Sequence, residues 1–242
     1  MKEIKSINNE LIKSLNKLKD KKERLKQKKF IVEGYHLVNE AYKTGALLQV
    51  FTINSNDNYN VESYLVNEDI IKKLSLTMNP QGIIGICEIE NSNEMIGNRY
   101  LILDNVNDPG NMGTLIRSSL GFNIDTIILS TDCVDIYNDK VIRASQGAIF
   151  YQNIVICNLE HAIKKLKDND VQIIGTSLKS SVNLRSIKNK SKYAIILGNE
   201  ANGIRQNILD MTDVNVKIEI SEKLESLNVA VAGSVIMYYL NK

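Results

Sequence analysis

From residue 100 onward the chain alternates short, unbroken apolar runs with segments of helical period, and this alternation limits the fold more than any other feature. The runs are "YLILD", "DTIILS", "NIVIC", "VQIIGTS", "YAIILGN" and "VNVKIEI". Helices are predicted over 111–121, 138–146, 159–167, 204–210 and 226–240. Strands of Ile, Val and Leu without polar alternation are covered on both faces, and their alternation with helices makes the sheet parallel. The expected class is therefore α/β, with a mostly parallel sheet in the C-terminal part. Sheets of this kind bind ligands in the crevice beyond the carboxyl ends of their strands. Three such ends carry chemistry: Asp104 to Arg117, Gly198 to Gly203, and Ile218 to Asn228.

Before residue 91 the pattern is looser. A basic helix is followed by a strand and helix in "KFIVEGYHLVNEAYKTG", a strand in "LLQVFTI", a helix in "NEDIIKKLSL" and a strand in "GIIGICEIE". This reads as a small α/β domain over 1–95, with the polar "NSNEMIGN" leading into a second domain over 97–242. Charge separates the two. Residues 2–29 hold 11 Lys and Arg against 4 Asp and Glu, whereas the rest of the chain holds 19 against 24. A basic segment ahead of a mildly acidic body suits a polyanion; it equally suits a solvated helix whose Leu11, Leu15 and Leu18 pack inward.

Several classes are disfavoured at once. No run approaches the roughly 18 apolar residues that span a bilayer, and "MKEIKSINNE" lacks the apolar core of a secretory signal. Cys87, Cys133 and Cys157 are too far apart for a metal site, and the two histidines add little, so no metal is expected. Reduced thiols point to the cytoplasm.

In "LDNVNDPGNMGTLIRSS" Pro109 suits the first turn of a helix, and Gly110 and Gly113 leave room for close backbone approach. Asn111 could border a cleft with Arg117, whose fork matches phosphate; equally, Asn111 could be an N-cap and Arg117 a surface residue. "ILGNEANG" has glycines spaced like a nucleotide loop, but Glu200 stands where the middle glycine would be and would repel a pyrophosphate. In "SLNVAVAGSVIMYYL" Ser226 or Asn228 could cap a helix, and Ala230, Ala232, Gly233 and Ser234 let something pack close.

Taken in order, the three segments resemble the three signature motifs of the SpoU/TrmH branch of the SPOUT RNA methyltransferases: "LDNVNDPGNMGTLIRSSLGFNID", "ILGNEANGI" and "IEISEKLESLNVAVAGSVI". The N-terminal half resembles that family's RNA substrate-binding domain through "LIKSLNKLKDKKERLKQKKFIVEGYHLVNEA" and "NPQGIIGICE". The chain departs from the family pattern at Glu219, where proline is usual, and at Glu222, where glycine is usual.

The resemblance implies S-adenosylmethionine (AdoMet) as methyl donor, a ribose 2′-hydroxyl of structured RNA as acceptor, a deep C-terminal trefoil knot, and a homodimer that completes each site. It puts the adenosine against backbone of Gly198, Ile218 and Leu227. Arg117 becomes the catalytic residue, held in place by Asn111, Glu200, Ser226 and Asn228. An arginine titrates near 13, so neutralising one at pH 7 costs on the order of 8 kcal/mol. Binding a phosphate and orienting the hydroxyl is the easier role. Lys21, Lys22, Arg24, Lys28, Lys29 and Arg143 are the expected RNA contacts. Large-subunit rRNA is the expected substrate and tRNA the alternative; neither DNA nor a membrane is expected as a partner. Two rivals remain: a non-catalytic RNA-binding protein of the same fold, and a nicotinamide-dependent dehydrogenase, which the missing G-x-G-x-x-G disfavours.

Overall fold

A computed structural model describes residues 1–90, 92–177, 181–187 and 191–241. In chain order its elements are β1 (Lys2–Ile4), α1 (Glu10–Asn16), α2 (Lys21–Gln27), β2 (Lys29–Glu33), α3 (Tyr35–Thr44), β3 (Leu47–Thr52), β4 (Glu62–Val66), α4 (Glu68–Leu74) and β5 (Ile83–Glu88). There follow β6 (Arg99–Leu103), α5 (Pro109–Gly121), β7 (Thr126–Leu129), α6 (Asp139–Ser145), β8 (Asn153–Ile156), α7 (Leu159–Lys167) and β9 (Gln172–Thr176). The last are β10 (Val182–Asn183), β11 (Tyr193–Leu197), α8 (Gln206–Leu209), β12 (Val214–Lys217) and α9 (Val229–Leu240). Contacts group them into two compact units, one of residues 1–90 and 137–151, the other of 91–136 and 152–242. The segment with α6 therefore packs in the first unit, where Phe30 stacks on Phe150 and lies 4.7 Å from the Tyr137 ring.

The first unit is a mixed sheet ordered β1-β4-β3-β5-β2. Ile12, Leu15, Leu18, Ile70, Ile71 and Leu74 of the flanking helical segments close one core cluster with Ile31, Phe51, Ile84 and Ile86 of the sheet. The basic segment is two helices and not one. Asp20 accepts the backbone N–H of Lys22 and caps α2, and Lys28 ends α2 in the left-handed region at φ 51°. The break buries Leu18 and turns the chain toward the edge strand β2.

The second unit is a sheet ordered β10-β12-β9-β11-β6-β7-β8 among the described residues, parallel at every pairing. Its strands match the six apolar runs, and two-residue β10 is added at the edge. One face packs on α7 and α8 through Ile102, Ile128, Ile163, Leu166, Ile196 and Ile208. Each fully buried Leu or Ile contributes about 1.5–3 kcal/mol, so these clusters supply most of the driving force. On the other face α9 lies against α5 and β11. A Cβ on Gly233 would meet Leu115 and Leu197, so this glycine sets how closely the helix seats. The small residues of α9 thus serve the chain's own packing.

Candidate active site

The site grows from the ends of β6 and β11, which lie side by side in register, Leu103 opposite Leu197. Asp104 directly follows β6 and is fully buried. Its carboxylate accepts the Arg205 backbone N–H at 2.8 Å and Arg205 Nε at 2.7 Å, and Arg205 also donates to Asp132 at 3.1 Å. The hydrogen bond and charge of Asp104 raise the pKa of Arg205. This bracket fixes the far end of the loop that leaves β11. Inside that loop Asn199 pairs with Gly203 through two backbone bonds of 2.9 and 3.0 Å, and Asn199 Nδ2 donates to the Asn105 carbonyl at 2.9 Å.

The loop so held presents Glu200 to the N-terminus of α5. Glu200 accepts the backbone N–H of Asp108 at 3.1 Å, that of Asn107 at 3.3 Å, and Asn111 Nδ2 at 3.0 Å. A carboxylate at a helix N-terminus is favoured by the unsatisfied N–H groups there. Pro109 opens α5, and Asp108, not Asn111, is its N-cap, accepting the Asn111 backbone N–H at 2.8 Å. That frees the Asn111 side chain to bridge: its Oδ1 accepts Asn228 Nδ2 at 2.9 Å. Asn228 in turn caps α9, accepting from Ala230 at 2.9 Å and Val231 at 3.3 Å. Glu200, Asn111 and Asn228, one from each motif, form a continuous relay.

Partial burial opposes ionisation of Glu200, but the hydrogen bonds from Asn111, Asp108 and Asn107 outweigh it and hold the carboxyl below its ordinary 4.5. With the folded value depressed, the tie is fully present above pH 4.5 and is lost as pH falls through the lower folded value. Glu200→Gln is expected to remove that acid-limb dependence from thermal unfolding scans between pH 3 and 5, a range set by the ordinary carboxyl values.

The structure does not draw in the other two expected residues. Arg117 lies on the exposed side of α5 and makes no hydrogen bond or ion pair with any described residue. Ser226 is exposed before α9 and likewise has no partner among the described residues. The altered position Glu219 accepts Asn183 Nδ2 at 3.1 Å and ties the loop after β12 to β10; Glu222 is exposed.

For a neutral adenosine the fit rests on backbone. The N–H and C=O groups of Gly198, Ile218 and Leu227 carry no hydrogen bond to a described residue, and all three follow β11 or β12 or precede α9. Backbone donors and acceptors without charge suit an adenine edge. A Cβ on residue 198 would run into the backbone of Gly203 and Ile204, so the loop's own return already demands a glycine there. Gly198→Ala is expected to open the Asn199–Gly203 bridge, cost about 1–3 kcal/mol in urea unfolding, and weaken cofactor binding with it.

In the first unit Lys21, Lys22 and Lys28 are exposed and Lys29 is half-buried. Arg24 is corrected: it is buried, donating to the carbonyls of Leu18 and Lys19 at 2.9 Å each, and it fastens the turn before α2 where an RNA contact was expected. Arg143 is exposed, bonded to Asp139 at 3.1 Å, and lies in the same unit as these lysines. Sequence reading missed Asp104, Asp132, Asn199 and Arg205. The one signal was an acidic residue directly after the apolar run "YLIL".

The loops at the ends of β6 and β11 and the cap of α9 thus meet at one place beyond the carboxyl ends of a parallel sheet, where such sheets hold ligands. Residues 98–238 match the model of the SpoU rRNA Methylase family, and residues 9–85 match the MRM3-like substrate binding domain. The chain belongs to the SpoU rRNA methylase family. A 23S rRNA (guanosine(2553)-2′-O)-methyltransferase, RlmP, of Bacillus subtilis (strain 168) is 33% identical over 246 residues, covering 99% of each chain. An AdoMet-bound rRNA methyltransferase from Sinorhizobium meliloti superposes with a TM-score of 0.89 at 29% identity, covering 99% of this chain and 97% of that one. The SpoU methyltransferase AviRb from Streptomyces viridochromogenes, at 18% identity and a TM-score of 0.87, shares the fold, covering 97% of each chain.

Proposed function

We propose that the chain methylates a ribose 2′-hydroxyl of large-subunit ribosomal RNA, with AdoMet as donor. The relay Glu200–Asn111–Asn228 carries this reading, because it joins three distant motifs where a parallel sheet holds its ligand. The full-length likeness to the Bacillus subtilis enzyme favours 23S rRNA over tRNA. AdoMet, when bound, supplies an activated methyl group. Gly198, Ile218 and Leu227 hold it through backbone, and Asn111 and Asn228 fix the spacing of α5 and α9 beside it. Arg117, free of partners among the described residues, binds the phosphate next to the target ribose and orients its hydroxyl. Such positioning supplies several kcal/mol. Lys21, Lys22, Lys28, Lys29 and Arg143 give the salt-dependent part of RNA affinity. Ribosomal RNA as substrate places the enzyme in the cytoplasm. Transfer of tritium from labelled AdoMet to ribosomal RNA lacking the modification tests the reading; binding of AdoMet without transfer to any RNA would refute it.

The C-terminal segment is proposed to be knotted. This is supported by β11, which inserts between β9 and the earlier β6, and by the return of α9 to α5 and β11. A homodimer completes the proposal. Val231, Val235 and Tyr238 recur at i, i+4 and i+7 on α9 and are 50%, 39% and 69% exposed, with the Phe122 ring 5.9 Å from that of Tyr238. An apolar stripe of this kind on a helix whose other side is already buried calls for a partner surface. Sedimentation at micromolar concentration is expected to show a dimer, and Val231→Glu with Val235→Glu a monomer without methyl transfer. A fully active monomer would contradict the assembly.

A further inference from the structure

We propose that the first unit holds a second RNA-binding site, distinct from Lys21, Lys22, Lys28 and Lys29, that takes unstacked bases of a single-stranded loop. It rests on the RNA-methyltransferase reading and concerns α3 and the loop 54–60. Tyr35, Asn39 and Tyr42 recur at i, i+4 and i+7 on the exposed side of α3. Tyr35 and Tyr42 are 37% and 40% exposed, although a soluble surface rarely groups large rings. The loop is clamped over this stripe. Tyr59 Oη donates to Asn39 Oδ1 at 2.7 Å, and its ring meets Tyr42 edge to face at 5.3 Å. Tyr35 Oη donates to Asp57 at 3.2 Å, and the Asn60 backbone N–H donates to Tyr42 Oη at 3.3 Å.

These bonds hold the phenols by their hydroxyls while the two tyrosines stay partly exposed, so the rings are already ordered before anything binds. A cleft of about 390 Å³ runs beside the same loop; its lining includes Asn56, Asp57, Asn58, Tyr59 and Glu62, the last paired with Lys2 at 2.7 Å. The side chains of Asn56 and Asn58 have no partner among the described residues and can read the donor and acceptor edge of a base. The Asp57 carboxylate is taken up by Tyr35, Thr52 and Asn54 and does not face the cleft as a free charge. Exposed tyrosine rings with free amides beside them are the chemistry of single-strand recognition, since duplex RNA offers neither ring faces nor splayed edges. The site shares no residue with the lysines of α2. α3 and the neighbouring strands carry it, whereas α1 and α4 close the core cluster with Leu18.

The test uses the full chain, a fluorescein-labelled 12-nucleotide single-stranded RNA and the blunt duplex of the same sequence, followed by anisotropy across a salt series. Tyr35→Ala with Tyr42→Ala should weaken single-strand binding about 10-fold or more, because stacking is worth about 1–3 kcal/mol per base. It should leave duplex binding unchanged. Tyr35→Phe with Tyr42→Phe keeps the rings and should retain most of the affinity. Asn56→Ala with Asn58→Ala, which breaks no contact of the fold, should weaken the strand several-fold without lowering Tm. Equal losses for strand and duplex, a Phe pair as weak as the Ala pair, or unchanged affinity in the Ala and Asn pairs would overturn the proposal. AdoMet binding, measured by calorimetry on the same variants, should stay at the wild-type level. Its absence in the wild type would instead strike at the methyltransferase reading.

Discussion

Replacing Arg205 with alanine should lower the stability of the second unit by about 1–3 kcal/mol. Asp104 is wholly buried, and Arg205 gives it both a backbone and a side-chain donor. Removing the guanidinium leaves the buried carboxylate only the backbone N–H of residue 205, and because the Arg205 side chain is 46% exposed, solvent offsets part of the loss. At about 2–4 °C per kcal/mol for a chain of this size, the midpoint falls by roughly 2–12 °C. Joint replacement by Asp104→Leu and Arg205→Met should recover much of the loss, because no charge is then left buried. The loop carrying Glu200 would no longer be pinned, so methyl transfer should stay low in the stable double variant. A double variant with full activity would show the bracket to be structural alone.

Arg117→Ala should act in the opposite way, with methyl transfer falling below a tenth of wild type while unfolding is unchanged. The side chain is exposed and touches no described partner, so its removal should alter stability by no more than about 0.5 kcal/mol. Any loss of rate then belongs to the RNA. Its fork matches a phosphate bidentately, and a lysine would not restore that geometry. AdoMet affinity should stay within a few-fold, read by calorimetry. Transfer above a tenth of wild type would remove Arg117 from its proposed role.

The legible part of the fold was the part written in apolar runs. β6, β7, β8, β9, β11 and β12 are all visible because parallel strands covered on both faces need Ile, Val and Leu throughout. The three-residue β1, the polar-alternating "ESYLV" of β4 and the two-residue β10 carry too little pattern to be seen. The break between α1 and α2 was hidden because the lysines on either side look alike; only Asp20 marked it. At the site, the motifs single out Asn111, Glu200 and Asn228, and the structure links these three by hydrogen bonds. They could not foretell Asp104 and Arg205, a pair formed between residues 101 positions apart. Arg24 and Gly198 show the converse: residue types suited to a ligand are used by the fold itself.

The most direct test of the central claim is a map of 2′-O-methylated riboses in ribosomal RNA from cells with the gene, without it, and with only the Arg117→Ala form. One large-subunit position should be methylated in the first, bare in the second, and bare in the third despite normal levels of protein. An unchanged large-subunit map, with the missing methyl group in tRNA or in no RNA, would contradict it.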